Sequence, residues 1–152
     1  MIDASALKDY SLFGGLLPEE IEAIRPLLGS ASYEAGTDIM REGEPNDCIH
    51  FILEGEVEVE KGGVPLARLG EGETFGEMEF LDVMPAAATV RALVSSRVAT
   101  ISNRALHEIS KSSMRAFAMV VMNLARDLSR RLRRMDDIMV QSSPLPRPST
   151  RG

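Results

Sequence analysis

The chain has one cysteine, Cys48, and therefore no internal disulfide; with only two histidines, His50 and His107, it is also too sparse in ligands for a metal centre. No metal and no cofactor is expected. No apolar run approaches the ~20 residues of a membrane span, and Lys8 and Asp9 interrupt the first apolar residues before they could form a signal peptide. The expectation is a cytoplasmic protein without a membrane partner. A reactive constellation is missing too. No nucleophile–base set, carboxylate dyad or P-loop emerges, which argues against an enzyme. His50 alternates onto what reads as the wet face of a strand and is expected as a surface histidine, and Cys48 as a loop or strand-start residue without reactive character.

What is present fits one regulatory domain. The 152 residues are 44% hydrophobic and 26% charged, ordinary values for a globular chain long enough to bury a core. Charge is uneven: residues 1–112 carry 20 acidic and 9 basic side chains, residues 113–152 carry 3 and 8. Such asymmetry can flag a nucleic-acid arm. Arg130, Arg131, Arg133 and Arg134 could meet phosphates, but Asp127, Asp136 and Asp137 flank them, and a basic helix beside its own acidic domain is the preferred reading. No nucleic-acid partner is expected.

An amphipathic helix comes first. Pro18 suits its first position, Glu19 and Glu20 favour its N-terminal dipole, and Ile21, Ile24, Leu27 and Leu28 share a face. Tyr33 to Ala99 reads as β-structure. Ile49, Phe51, Leu53, Val57 and Val59 occupy odd positions, with His50, Glu54, Glu56, Glu58 and Glu60 between them, the mark of strands with one buried and one wet face. Lys61-Gly62-Gly63 makes a hairpin turn. After Ser102 the pattern turns helical: a short helix over Arg104 to Ser110, then a long one capped by Ser113 and running to about Val140. In the long helix Met114, Phe117, Val121, Leu124, Leu128, Arg131, Met135 and Ile138 recur at spacings of three and four, a heptad seam with one arginine inserted and Leu132 beside it. Its second half should meet a partner. Gln141 to Gly152, rich in proline and serine, reads as a disordered tail.

Phe75 to Ala92, FGEMEFLDVMPAAATVRA, is the most informative segment. A strand end, a Gly-Glu turn into a short helix, a proline and a strand of small and β-branched residues place free backbone N–H groups around a concave site. The segment resembles the phosphate-binding cassette of the cyclic nucleotide-binding domain family, in its stand-alone bacterial form. The family pattern is Phe-Gly-Glu-Leu-Ala-Leu, a short gap, then Pro-Arg-Ala-Ala-Thr-Val; Phe75, Gly76, Glu77, Pro85, Ala87, Ala88, Thr89 and Val90 fall in register. The ordered glycines Gly36, Gly43, Gly55, Gly70, Gly72 and Gly76 resemble the family's β-roll as well, and the likeness covers about residues 12–140.

The resemblance implies an α+β fold: an antiparallel β-roll or jelly-roll barrel of about eight strands, flanked by an N-terminal helix and a long C-terminal helix. The expected division is a cyclic nucleotide-binding-like domain over 12–112, a dimerisation helix over 113–140 and the tail over 141–152. It further implies that Glu77 would accept a bond from a ribose 2′-hydroxyl and that amides from Gly76 onward would hold a cyclic phosphate. The family's phosphate-binding arginine, however, is replaced by Ala86, and the usual small residue by Glu79. Losing one partner of a buried charge pair costs about 2–5 kcal/mol, more than the ~0.3–1 kcal/mol that a helix N-terminus typically contributes toward an anion.

Arg91 shares a strand face with Ala87 and Thr89 and should point to solvent, while Arg41 or Arg68 would have to reach in from other strands. The cassette candidates are thus Phe75, Gly76, Glu77, Met78, Glu79, Pro85, Ala86, Ala87, Ala88 and Thr89. In transcription-factor relatives the matching long helix forms the dimer interface, which implies Val121, Leu124, Leu128, Leu132 and Met135 here. The leading expectation is a non-enzymatic regulatory or scaffolding homodimer that acts on a protein partner, with cyclic nucleotide binding lost. The alternative is a receptor that binds a cyclic nucleotide weakly or a different ligand in the same pocket. A transcription factor would need a helix-turn-helix after the long helix, and too few residues follow it.

Overall fold

The computed structural model describes residues 2–142. Helix α1 (Ala4–Leu7) and a 3-10 turn at Ser11–Phe13 lead into α2 (Pro18–Ile24). Proline opens α2 as expected, and the helix stops at Ile24 because Pro26 has no N–H to continue it; a 3-10 turn over Arg25–Leu27 follows. Eight strands come next: β1 (Gly29–Tyr33), β2 (Asp38–Met40), β3 (Cys48–Glu54), β4 (Glu56–Lys61), β5 (Val64–Gly70), β6 (Thr74–Phe75), β7 (Thr89–Ala92) and β8 (Ser96–Ser102). A short helix, α3 (Glu77–Asp82), sits between β6 and β7, and α4 (Asn103–Ser112) and α5 (Met114–Ser142) follow β8.

The strands form two antiparallel four-stranded sheets, ordered β1-β8-β3-β6 and β2-β7-β4-β5. This is the eight-stranded roll with flanking helices that the sequence predicts. Between β3 and β4 the chain leaves one sheet for the other at Gly55, whose φ of +104° and a Cβ that would lie 2.2 Å from Ser96 Oγ exclude a side chain.

Two apolar clusters explain the layering. One joins the first sheet to the helices: Ile49, Phe51 and Leu53 of β3 and Ala99 and Ile101 of β8 pack with Leu12, Phe13, Ile24, Ile109, Val120 and Leu124. The other fills the space between the sheets with Met40, Ile52, Val57, Leu69, Phe75, Ala86, Val90 and Val98. Strand β3 therefore has no wet face, contrary to the alternation expected of it. Its odd side chains meet the helices, Ile52 meets the opposite sheet, and His50 is buried, its ring stacked on Phe75 at 4.7 Å and 6°. The alternation does hold in β4: Val57 is fully buried, whereas Glu58 pairs with Arg68 of β5 and Glu60 with Arg91 of β7.

The core reaches back to Ile2, Leu7 and Tyr10, before the expected domain start at residue 12. Ser113 caps α5 as predicted, its Oγ accepting the Ala116 N–H at 3.1 Å. At 29 residues α5 is roughly 43 Å long. Its inner face carries Ala116, Val120, Asn123 and Leu124, and Asn123 Nδ2 donates to the carbonyls of Leu12 and Gly14, fixing the helix to the N-terminal turn. Leu124 thus belongs to the chain's own core, where it is 2% exposed, rather than to a surface open to a partner. Gln141 and Ser142 still lie in α5, and the rest of the expected tail falls outside the described residues.

Candidate functional site

The cassette is built where β6 ends. Phe75 packs between the sheets, and Gly76 turns the chain with φ +79°; a Cβ there would lie 2.7 Å from Asn46 Nδ2 and 2.9 Å from both the Cys48 carbonyl and His50 Nδ1. Asn46 Nδ2 ties this turn down by donating to the carbonyls of Gly76 and Cys48. Helix α3 follows at once. Glu77 and Glu79 on its first turns are buried, Phe80 packs into the helical core, and Met78 and Leu81 are exposed. The connection over Val83 to Pro85 is exposed, and Ala86 then turns inward between the sheets.

Several polar groups of this segment bond to the protein itself, with one buried side-chain exception. The Ala86 N–H donates to the Glu44 carbonyl at 2.8 Å, and the Ala86 carbonyl accepts the Gly43 N–H at 2.9 Å. The Ala87 N–H donates to Glu79 Oε1 at 2.7 Å. Thr89 Oγ1 accepts the Glu42 N–H at 3.0 Å. Glu77 Oε1 accepts Arg131 Nη1 at 2.6 Å, and Arg131 Nη2 donates to Thr74 Oγ1 and the Thr74 carbonyl. The exception is Glu77 Oε2, which is buried and has no hydrogen-bond partner among the described residues. Burial raises the Glu77 carboxyl above the usual carboxylate range, and the Arg131 guanidinium opposes that shift.

Of the cations weighed from the sequence, none enters the cassette. Arg91 pairs with Asp38 at 2.8 Å and Glu60 at 3.4 Å; Arg41 pairs with Asp38 and Glu44, and Arg68 with Glu56 and Glu58. The cation that does reach it is Arg131, 54 positions after Glu77 and taken from the sequence as an intruder in the helix seam. A polar residue at a heptad position was the only signal that could have pointed to it. Arg131 approaches from the α5 side, where a cavity of about 190 Å³ is lined by Ser11, Thr74, Asp127, Arg130 and Arg134 among others. Of the expected cassette residues, Phe75 and Ala86 face the space between the sheets, Glu77 and Glu79 are buried, Glu79 meets the Ala87 amide, and Met78 and Pro85 are exposed. The five expected interface residues separate: Leu132 and Met135 are exposed, Val121 and Leu128 partly buried, Leu124 internal.

Comparison with known proteins places this geometry. Residues 30–113 match the family model described as the cyclic nucleotide-binding domain. The cyclic AMP receptor protein of Thermus thermophilus is 31% identical over 135 residues, covering 86% of this chain and 61% of that protein. The cAMP-dependent protein kinase regulatory subunit of Aspergillus niger is 34% identical over 97 residues, 62% of this chain; the match spans only about a quarter (24%) of that longer protein. Among solved structures, a cyclic nucleotide-binding domain from Methylobacillus flagellatus KT superposes with a TM-score of 0.83 at 25% identity, over 96% of this chain and 84% of that one. With its two-sheet roll, its glycine-turned cassette and a family match over more than half its length, the chain belongs to the cyclic nucleotide-binding domain family.

Proposed function

We propose that the protein is a non-enzymatic regulatory module that uses the cyclic nucleotide-binding fold without responding to cyclic AMP or cyclic GMP, and that it works as a homodimer on a protein partner. One observation carries the first half. The Ala87 amide, which the family pattern would offer to a phosphate, is held by the carboxylate of Glu79, and at position 86 a methyl group stands where a cation is needed. An incoming phosphate would have to displace a buried carboxylate and then sit beside it. With the arginine's contribution of about 2–5 kcal/mol also missing, dissociation constants for both cyclic nucleotides should exceed roughly 100 μM by calorimetry. Micromolar binding by the wild type would overturn the reading.

The second half is supported by the outer face of α5. With Leu124 turned inward, a heptad remains in Met114, Ala118, Val121, Ala125, Leu128, Leu132, Met135 and Met139, alternating by four and three. Met114, Leu132, Met135 and Met139 are each more than half exposed in the single chain. A parallel pair of such helices would cover them. Among the described residues no helix is long and apolar enough to cross a membrane, and the acidic domain makes a nucleic-acid partner a poor fit. A second reading, a receptor for a different small ligand in the same pocket, is favoured by the unpartnered oxygen of Glu77.

A further inference from the structure

Helix α5 carries a third row of side chains besides its core face and its apolar seam. Arg115, Met119, Met122, Arg126, Arg130 and Arg133 follow one another by four and three, so they share one face, turned well away from Leu128, Leu132 and Met135. Met122, Arg126, Arg130 and Arg133 are exposed. Arg115 pairs with Glu20 and Arg130 with Asp127, whereas Arg126, Arg133 and the adjoining Arg134 take part in no ion pair among the described residues. These charges stay unpaired although residues 1–112 hold 20 acidic side chains against 9 basic ones, so the fold sets them apart from its own acids. The row is made of arginine and methionine without lysine, and protein interfaces enrich the first two and deplete the third. Beside it opens the cavity of about 190 Å³ that Arg130 and Arg134 help to line. Its carboxylates are engaged, Asp127 by Arg130 and the Ser11 hydroxyl and Glu73 by the Gly70 N–H, which leaves Arg134 as its uncommitted charge.

We propose that this row docks an acidic, amphipathic helix of the partner protein, whose carboxylates pair with Arg126, Arg133 and Arg134 and whose apolar side chains cover Met122. The inference rests on the reading that the protein acts on a protein partner, and it names that partner's chemistry. From Arg115 to Arg133 the row runs roughly 27 Å, the length of about five helical turns, and an amphipathic helix laid on an apolar face is a recurrent mode of recognition. The seam stays clear, so docking and the pairing of two chains do not compete. Nucleic acids and anionic bilayers also carry negative charge, but as a continuous array that would meet the exposed Asp136 and Asp137 and the acidic domain. A short helix places its carboxylates only where the arginines are.

Fluorescence anisotropy on the full chain uses as probe a labelled helical peptide of about 18 residues, with glutamate on one face and leucine on the next, beside its counterpart with glutamine for glutamate. The glutamate peptide should bind at least about tenfold more tightly than the glutamine peptide, and its affinity should fall as salt is raised. Arg126→Ser with Arg133→Ser should weaken it about tenfold, while Arg41→Ser with Arg104→Ser, which removes the same charge from exposed positions elsewhere, should leave it unchanged. Equal losses in the two double variants, equal affinity for the two peptides, or no binding of the glutamate peptide up to about 1 mM overturns the inference. Tighter binding of duplex DNA or of phosphatidylglycerol vesicles than of the peptide, at near-physiological salt, overturns it in favour of a polyanion. The homodimer is read separately by light scattering and the loss of cyclic nucleotide binding by calorimetry, so failure here leaves those parts of the proposed function standing.

Discussion

Position 86 carries much of the proposed loss of cyclic nucleotide binding. The Ala86 methyl faces the space between the sheets, beside Met40, Phe75 and Val90, and Glu79 lies across the turn on the neighbouring amide. Ala86→Arg together with Glu79→Ala should therefore recover cyclic AMP binding, by more than the sum of the single changes because the two sites share one amide. Calorimetry on the two singles and the double reads this directly; an inactive double variant would mean that the seat is closed by packing rather than by charge. His50 supports a separate expectation. Burial pushes its pKa down to about 4 from an ordinary value near 6.5, so the ring stays neutral in the fold while the unfolded chain takes up a proton. Folding stability contributed by His50 is complete above about pH 6.5 and is lost as pH falls toward 4, by ~3 kcal/mol in all. Glu77, raised by burial, acts in the opposite sense, so the comparison must be against His50→Phe, which keeps the stack on Phe75. The variant's melting temperature should fall less steeply than the wild type's between about pH 6.5 and 4; parallel curves would refute it.

Helix α5 has one face packed into the core and another proposed to pair two chains, and substitutions should separate them. Leu124 is in the protomer's core, so Leu124→Ala should cost about 2–5 kcal/mol of folding stability, measured by urea unfolding. Leu128 lies on the outer seam. Leu128→Asp should leave the circular dichroism and unfolding midpoint of the β-domain near wild type while shifting the mass in light scattering from two chains toward one. A wild-type monomer at tens of micromolar, or a Leu128→Asp protein that unfolds, would refute the assignment of faces. The helix is anchored by polar groups as well as apolar ones: Asn123 holds the N-terminal turn, and Arg131 holds Glu77.

The molecule as a whole links these parts in series. Cassette helix α3, the end of β6 and the middle of α5 meet at one charge pair, in which Arg131 is 23% and Glu77 5% exposed. Breaking a buried pair by removing one partner is costly because the other is left uncompensated.

Much of this was legible along the chain. The glycine-punctuated strands, the helix starts at Pro18 and Ser113, the Phe75 to Val90 cassette and the missing cation at position 86 are all local patterns, set by spacings of one to four residues or by the identity of a single residue. The single chain also shows where such reasoning stops. The heptad of α5 admits two neighbouring faces, and only packing against the first sheet turns Leu124 and Arg131 inward. Strand β3 reads as half wet, yet it lies between the helices and the second sheet and is buried on both sides. Glu79 reaches Ala87 and Arg131 reaches Glu77 because α3 and α5 are brought against one turn. Periodicity states which residues share a face; which face is covered, and which charge finds which, depends on the three-dimensional arrangement of elements far apart in sequence, and only the tertiary structure decides it.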